Sequence, residues 1–81
     1  TNPLEANAIV VFKKNNTIQV EAGAVILNTI TVFDIQGRKL VEMNDLNASS
    51  IAIDTLKQND QVLIIQITDE NQNTITKKFL F

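Results

Sequence analysis

Short runs in which apolar and polar residues alternate, separated by Asn, Asp and Gly, set what this chain can fold into. The last third shows the pattern most clearly. Gln61-Val62-Leu63-Ile64-Ile65-Gln66-Ile67-Thr68 is one run, Asp69-Glu70-Asn71-Gln72-Asn73 is polar and turn-prone, and Thr74-Ile75-Thr76-Lys77-Lys78-Phe79-Leu80-Phe81 is the next. A period of two belongs to a strand with one buried face. Ile, Val and Thr supply 26 of the 81 residues, and branched side chains suit a pleated surface better than a helix. Termini commonly fray unless something ties them down. The apolar Phe79-Leu80-Phe81 is therefore expected to belong to a sheet.

The same reading predicts seven strands. They cover Ala8 to Lys13, Thr17 to Glu21, Thr29 to Ile35, Arg38 to Met43, Ser50 to Asp54, Gln61 to Thr68 and Thr74 to Phe81. Lys14-Asn15-Asn16 makes the first turn, because Asn tolerates left-handed backbone. Gly23 ends the second run. Leu40 and Val41 are both apolar, so the inward parity of the fourth strand stays open. Leu56 is expected to plug the core from the loop Thr55 to Asp60. Ala24-Val25-Ile26-Leu27 could make one helical turn but is too short to stand alone. Turn signals every 8–12 residues, roughly, give an all-β fold, a small antiparallel β-sandwich of the Ig-like kind. Its core is expected to hold Ile30, Val32, Ile51, Ile53, Leu63, Ile65 and Ile67. Thr1–Glu5 reads as a linker remnant and residues 6–81 as a single domain.

Composition excludes more than it suggests. An 81-residue chain is one domain, burying roughly 60% of its unfolded surface. It has no His, Cys, Tyr or Trp, which removes the usual zinc, iron–sulfur and haem ligands and any Ser–His or Cys–His nucleophile pair. No enzyme activity and no cofactor are expected, nor a small-molecule substrate. A net charge of −2 and a pI near 4.8 argue against nucleic acid, which needs clustered cations and stacking aromatics. No apolar stretch approaches the ~20 residues of a membrane helix. Thr1 is no initiator Met and no leader is evident, so the chain is expected to be a domain of a longer protein. The lack of Cys leaves the compartment open.

Few residues stand out as candidate sites. Asp34-Ile35-Gln36-Gly37-Arg38 reads first as a hairpin in which Asp34 accepts turn N–H groups and Gly37 takes positive φ. Arg38, the only Arg, would then be displayed on a rigid hairpin where a partner could engage it. Asp54, Asp60, Asp69 and Glu70 lie near loops without the D-x-D-x-D-G spacing of a calcium loop, so turn capping is the expected role. The four phenylalanines, Phe12, Phe33, Phe79 and Phe81, are expected mostly in or against the core, which leaves no sugar-binding platform.

In sequence, Ile30-Thr31-Val32-Phe33-Asp34-Ile35-Gln36-Gly37-Arg38-Lys39-Leu40-Val41 resembles the C-terminal domains that address proteins to the type IX secretion system of Bacteroidetes. In those domains a hydrophobic-Tyr/Phe-Asp-x-x-Gly-Arg hairpin precedes an apolar strand, a polar turn and a closing Lys-Lys-apolar strand. Here those are Val62 to Ile67, Asn71-Gln72-Asn73 and Lys77-Lys78-Phe79-Leu80-Phe81. The likeness runs from about Val11 to Phe81. It is closer to the type C domains of secreted chitinase-like enzymes than to type A, whose penultimate strand opens Gly-x-Tyr where Asn59-Asp60-Gln61-Val62-Leu63 stands here. The resemblance implies a sorting module that folds in the periplasm in transit, and the chain is expected to be a monomer. Its partners would be the outer-membrane translocon, shuttle components and a sortase, and its cargo would end secreted or on the cell surface. It places recognition on Lys77, Lys78, Phe79 and Phe81, and secondarily on Gly37 and Arg38, with Lys77 and Lys78 expected as exposed charges. Two other classes fit the same composition, an Ig-like or fibronectin-like spacer and an adhesion or carbohydrate-binding module.

Overall fold

A computed structural model describes residues 9–56 and 60–81. The expected linker Thr1–Glu5, the start of the first strand at Ala8 and residues 57–59 of the Leu56 loop lie outside the described residues. Among the described residues seven strands form, in the order β1 (Val10–Lys14), β2 (Thr17–Glu21), β3 (Leu27–Asp34), β4 (Lys39–Met43), β5 (Ser50–Ile53), β6 (Val62–Asp69) and β7 (Thr74–Leu80). All pairings are antiparallel. β1-β2-β5 make a three-stranded sheet and β4-β3-β6-β7 a four-stranded one. This is the β-sandwich that the alternation predicts.

Sheet pairing and core selection follow from the same pleat. Ile18 and Val20 of β2 face inward across from Ile53 and Ile51. Ile30 and Val32 of β3 lie opposite Ile67 and Ile65 of β6. These residues and Leu63 are all buried, and Ile9, Ala22, Leu27 and Phe81 complete the core. Leu56 packs against it from outside the strands, as expected. The two sheets are stitched at one corner. Leu27 exchanges backbone bonds with Ala48 (2.8 and 3.4 Å), and the Ala22 N–H donates to Ser49 C=O at 2.8 Å. The stretch around Ala24 therefore feeds a strand instead of starting a helix: Val25 N–H bonds Ala22 C=O at 3.1 Å, and Leu27 already belongs to β3.

Besides one-residue shifts at the ends of β1, β4, β5, β6 and β7, the structure departs from the sequence reading in β3, in β4 and in the placing of the phenylalanines. β3 begins at Leu27 and ends at Asp34, because Leu27 is already paired to Asp69 while Ile35 has left the ladder for the turn, exposed. β4 contains a bulge: Val32 pairs Val41 but Phe33 pairs Lys39, so Leu40 is the extra residue. An extra residue reverses facing along the strand. That resolves the parity, with Val41 and Met43 packed against the core and Leu40 partly exposed. The phenylalanines divide evenly between core and outer faces. Phe81 is in the core and Phe79 packs against it, whereas Phe12 is exposed on β1. Phe33 shares the outer face with its partners Lys39 and Ile64, since Val32 takes the inward position.

Candidate functional site

The β3–β4 hairpin is built around one carboxylate. Asp34 ends β3 with its side chain almost fully buried. Its Oδ1 accepts the Gln36 and Arg38 backbone N–H groups, both at 2.9 Å. Its Oδ2 accepts the Arg38 Nε–H at 2.6 Å. The Gly37 N–H closes the turn on Asp34 C=O at 3.0 Å, and the Asp34 N–H donates to Arg38 C=O at 3.0 Å. Gly37 has φ +89°, the left-handed residue that such a three-residue hairpin loop requires. A Cβ there would meet no neighbour within 4 Å. The need for Gly is thus a matter of backbone conformation and not of the steric clash that a tight turn suggests.

The electrostatics follow from these contacts. The Arg38 backbone N–H holds the Asp34 carboxyl below its usual range, helped by the Arg38 side chain and the Gln36 N–H and opposed by desolvation. The Arg38 side chain is 74% exposed. Among the described residues, Nε is its bonded donor, so the hairpin displays the guanidinium and steers it from below.

A second hairpin repeats the arrangement at the opposite end of the four-stranded sheet. Asp69 ends β6, also buried. Its Oδ1 accepts the Asn71 and Asn73 N–H groups at 2.9 and 2.8 Å, and its Oδ2 accepts the Asn73 Nδ2–H at 3.2 Å. Gln72, at φ +66°, takes the position of Gly37. Capping was expected of Asp69, but its equivalence to Asp34 was not. The signal for it is the shared offset: each Asp ends a long strand and bonds the residues two and four places on.

β7 sorts the other predicted residues. Phe79 lies opposite Leu63 and Lys77 opposite Ile65, both on the core face, while Lys78 lies opposite Ile64 on the outer face. The Phe79 and Phe81 rings stack with centroids 6.2 Å apart, and the Phe81 N–H bonds Gln61 C=O at 2.8 Å. Lys77 and Lys78 are therefore not a pair of exposed charges. Lys78 is exposed, whereas Lys77 is half-buried on the inner face of an edge strand. An inward charge at a sheet edge discourages pairing with another chain. Gly37 and Arg38 lie on the hairpin that leads into β4, and β3 and β6 stand between β4 and β7 in the sheet, so the candidate residues do not converge on one cluster. Among the described residues no three Asp or Glu side chains gather in a way that could hold a metal.

Over residues 1–81 the sequence matches a family described as a domain of unknown function (DUF8694). No curated protein matches it.

Proposed function

The chain belongs to the DUF8694 family, and on that premise we propose that it is a non-catalytic β-sandwich module that the type IX secretion translocon reads in order to export the protein carrying it. The observation that carries this reading is the division of labour along β7. Phe79 and Phe81 turn inward and fix the strand, and Lys78 is left on the outer face at a defined register. A receptor that reads such a strand reads a folded surface and not a linear tag. The Asp34–Arg38 hairpin supports the same reading. Asn73 performs uncharged the bond that Arg38 makes with its charge, so the fold has no need of the guanidinium that the sorting-domain pattern contains. On this reading the module is in the periplasm in transit and its cargo ends outside the cell.

A structural spacer or adhesion module of an exported protein is the second reading. The two self-contained hairpins favour it, because buried Asp34 and Asp69 satisfy their turn amides with no partner. Fusing Thr1–Phe81 to a periplasmic fluorescent reporter separates the two, in a host with and without the secretion machinery. The export reading expects reporter in the medium only when the machinery is present. Reporter retained in the periplasm of both hosts would leave the spacer.

A further inference from the structure

The outer face of the four-stranded sheet is divided into two halves of different chemistry. Toward the β6–β7 hairpin its paired rows are polar, Gln66 with Thr76 and Thr68 with Thr74, the last two joined by a hydroxyl bond of 3.0 Å. Toward the β3–β4 hairpin one row runs Lys39–Phe33–Ile64–Lys78 across all four strands, and Val62 pairs Leu80 beside it. Leu80 is 63% exposed. The bulge at Leu40 creates this row. A regular strand would turn Lys39 toward the same side as Val41, which packs against the core.

We propose that this half of the face is a docking surface for a protein with an apolar centre and acidic groups around it. The proposal rests on the export reading, in which that protein is part of the secretion machinery. Charge selects the occupant. Lys39 and Lys78 bracket the Phe33–Ile64 pair, and Arg38 stands at the adjoining turn. Glu42 bonds Lys39 Nζ at 3.3 Å and Asp34 bonds Arg38, so those two cations are balanced within the chain. Lys78 is the cation of the row with no ion pair among the described residues. A second copy of the chain would set lysine against lysine, a like-charge contact that costs affinity. An anionic membrane would repel a chain of net charge −2, and the Trp and Tyr that anchor proteins at lipid headgroups are missing from the sequence.

The test uses the full chain fused to the reporter in the host with the machinery. Lys39→Glu/Lys78→Glu reverses the two exposed lysines and also breaks the Lys39–Glu42 pair, and Leu80→Glu alters the apolar part. Lys14→Glu, on the outer face of the other sheet, is the control. With melting curves like the parent's, the double variant and Leu80→Glu are expected to lose about tenfold in export, the scale of a lost interface anchor. Lys14→Glu is expected to export normally. Normal export by both face variants overturns the docking surface and leaves the export reading standing. Failure of the unchanged chain to export overturns both. Cosedimentation of the chain with phosphatidylglycerol–phosphatidylethanolamine vesicles, abolished by Lys39→Glu/Lys78→Glu, would replace the protein partner with a membrane. No cosedimentation is expected.

Discussion

The two hairpins of the four-stranded sheet reach one geometry from different residues. Asp34 and Asp69 each accept the backbone N–H groups two and four residues ahead, and each is followed by a residue of positive φ. At that residue one loop has Gly37 and the other Gln72. At the next, one has charged Arg38 and the other neutral Asn73, both bonding the second carboxylate oxygen. What the loops share is what the geometry demands, a buried acceptor at the end of a long strand. What differs is optional for folding. Gly lowers the conformational cost, and Arg adds charge at the surface.

Removing the shared element should do the most harm. Asp69→Ala would leave the Asn71 and Asn73 amides without their acceptor, and a loss of about 1–3 kcal/mol is expected from chemical denaturation. Asp34→Ala should lower Tm as well, since it strips the same two bonds and strands Arg38. If either variant melts like the parent, the carboxylate is not what holds that loop.

The left-handed position comes next, and here the hairpins should respond in opposite directions. Gly37→Ala is expected to cost about 1 kcal/mol, all of it from backbone conformation, because the space around the new Cβ is open. Gln72→Gly should stabilise by about 0.5 kcal/mol, the relief being partly offset by greater freedom in the unfolded chain. Paired denaturant titrations check both. A Gly37→Ala variant as stable as the parent, or a destabilised Gln72→Gly, would mean that the two loops are not equivalent.

Much of this was legible in the residues, and the parts that were not have physical causes. β2 and the core positions Ile30, Val32, Ile51 and Ile53 follow from alternation, because a half-buried strand has no other way to hide its apolar side. In β6, by contrast, the run Val62-Leu63-Ile64-Ile65 leaves the parity to Ile67 between Gln66 and Thr68. β4 was not readable, since one extra residue at Leu40 reverses the facing and leaves two adjacent apolar side chains that fit either parity. Lys77 was readable in principle. It shares parity with Ile75, Phe79 and Phe81, and neighbours on a strand cannot face the same way, so Lys77 and Lys78 had to diverge. The match between the hairpins was hidden because Gly and Arg mark one loop for the eye while Gln and Asn disguise the other. The docking row was hidden too, being assembled from four strands that are not consecutive in the chain.

The smallest expected effect separates the backbone from the guanidinium at Asp34. Its carboxyl is held below the ordinary 3.8 chiefly by the Arg38 backbone N–H, with the Arg38 side chain secondary. A depressed carboxylate contributes stability that is fully present above its unfolded value and is lost as pH falls through its folded value. The Tm difference between the parent and Asp34→Asn should therefore be constant above pH 3.8 and shrink below it. Arg38→Gln keeps the backbone N–H, so the Asp34 carboxyl, followed by NMR, should still titrate below the ordinary value, with a modest rise. The corresponding exposed charge is worth little to folding, and salt should erase most of the Tm change in Arg38→Gln. A return of Asp34 to its ordinary titration in Arg38→Gln would reverse the ranking. It would make the ion pair, absent from the Asp69 hairpin, the feature that sets the two loops apart in stability as well as in surface charge.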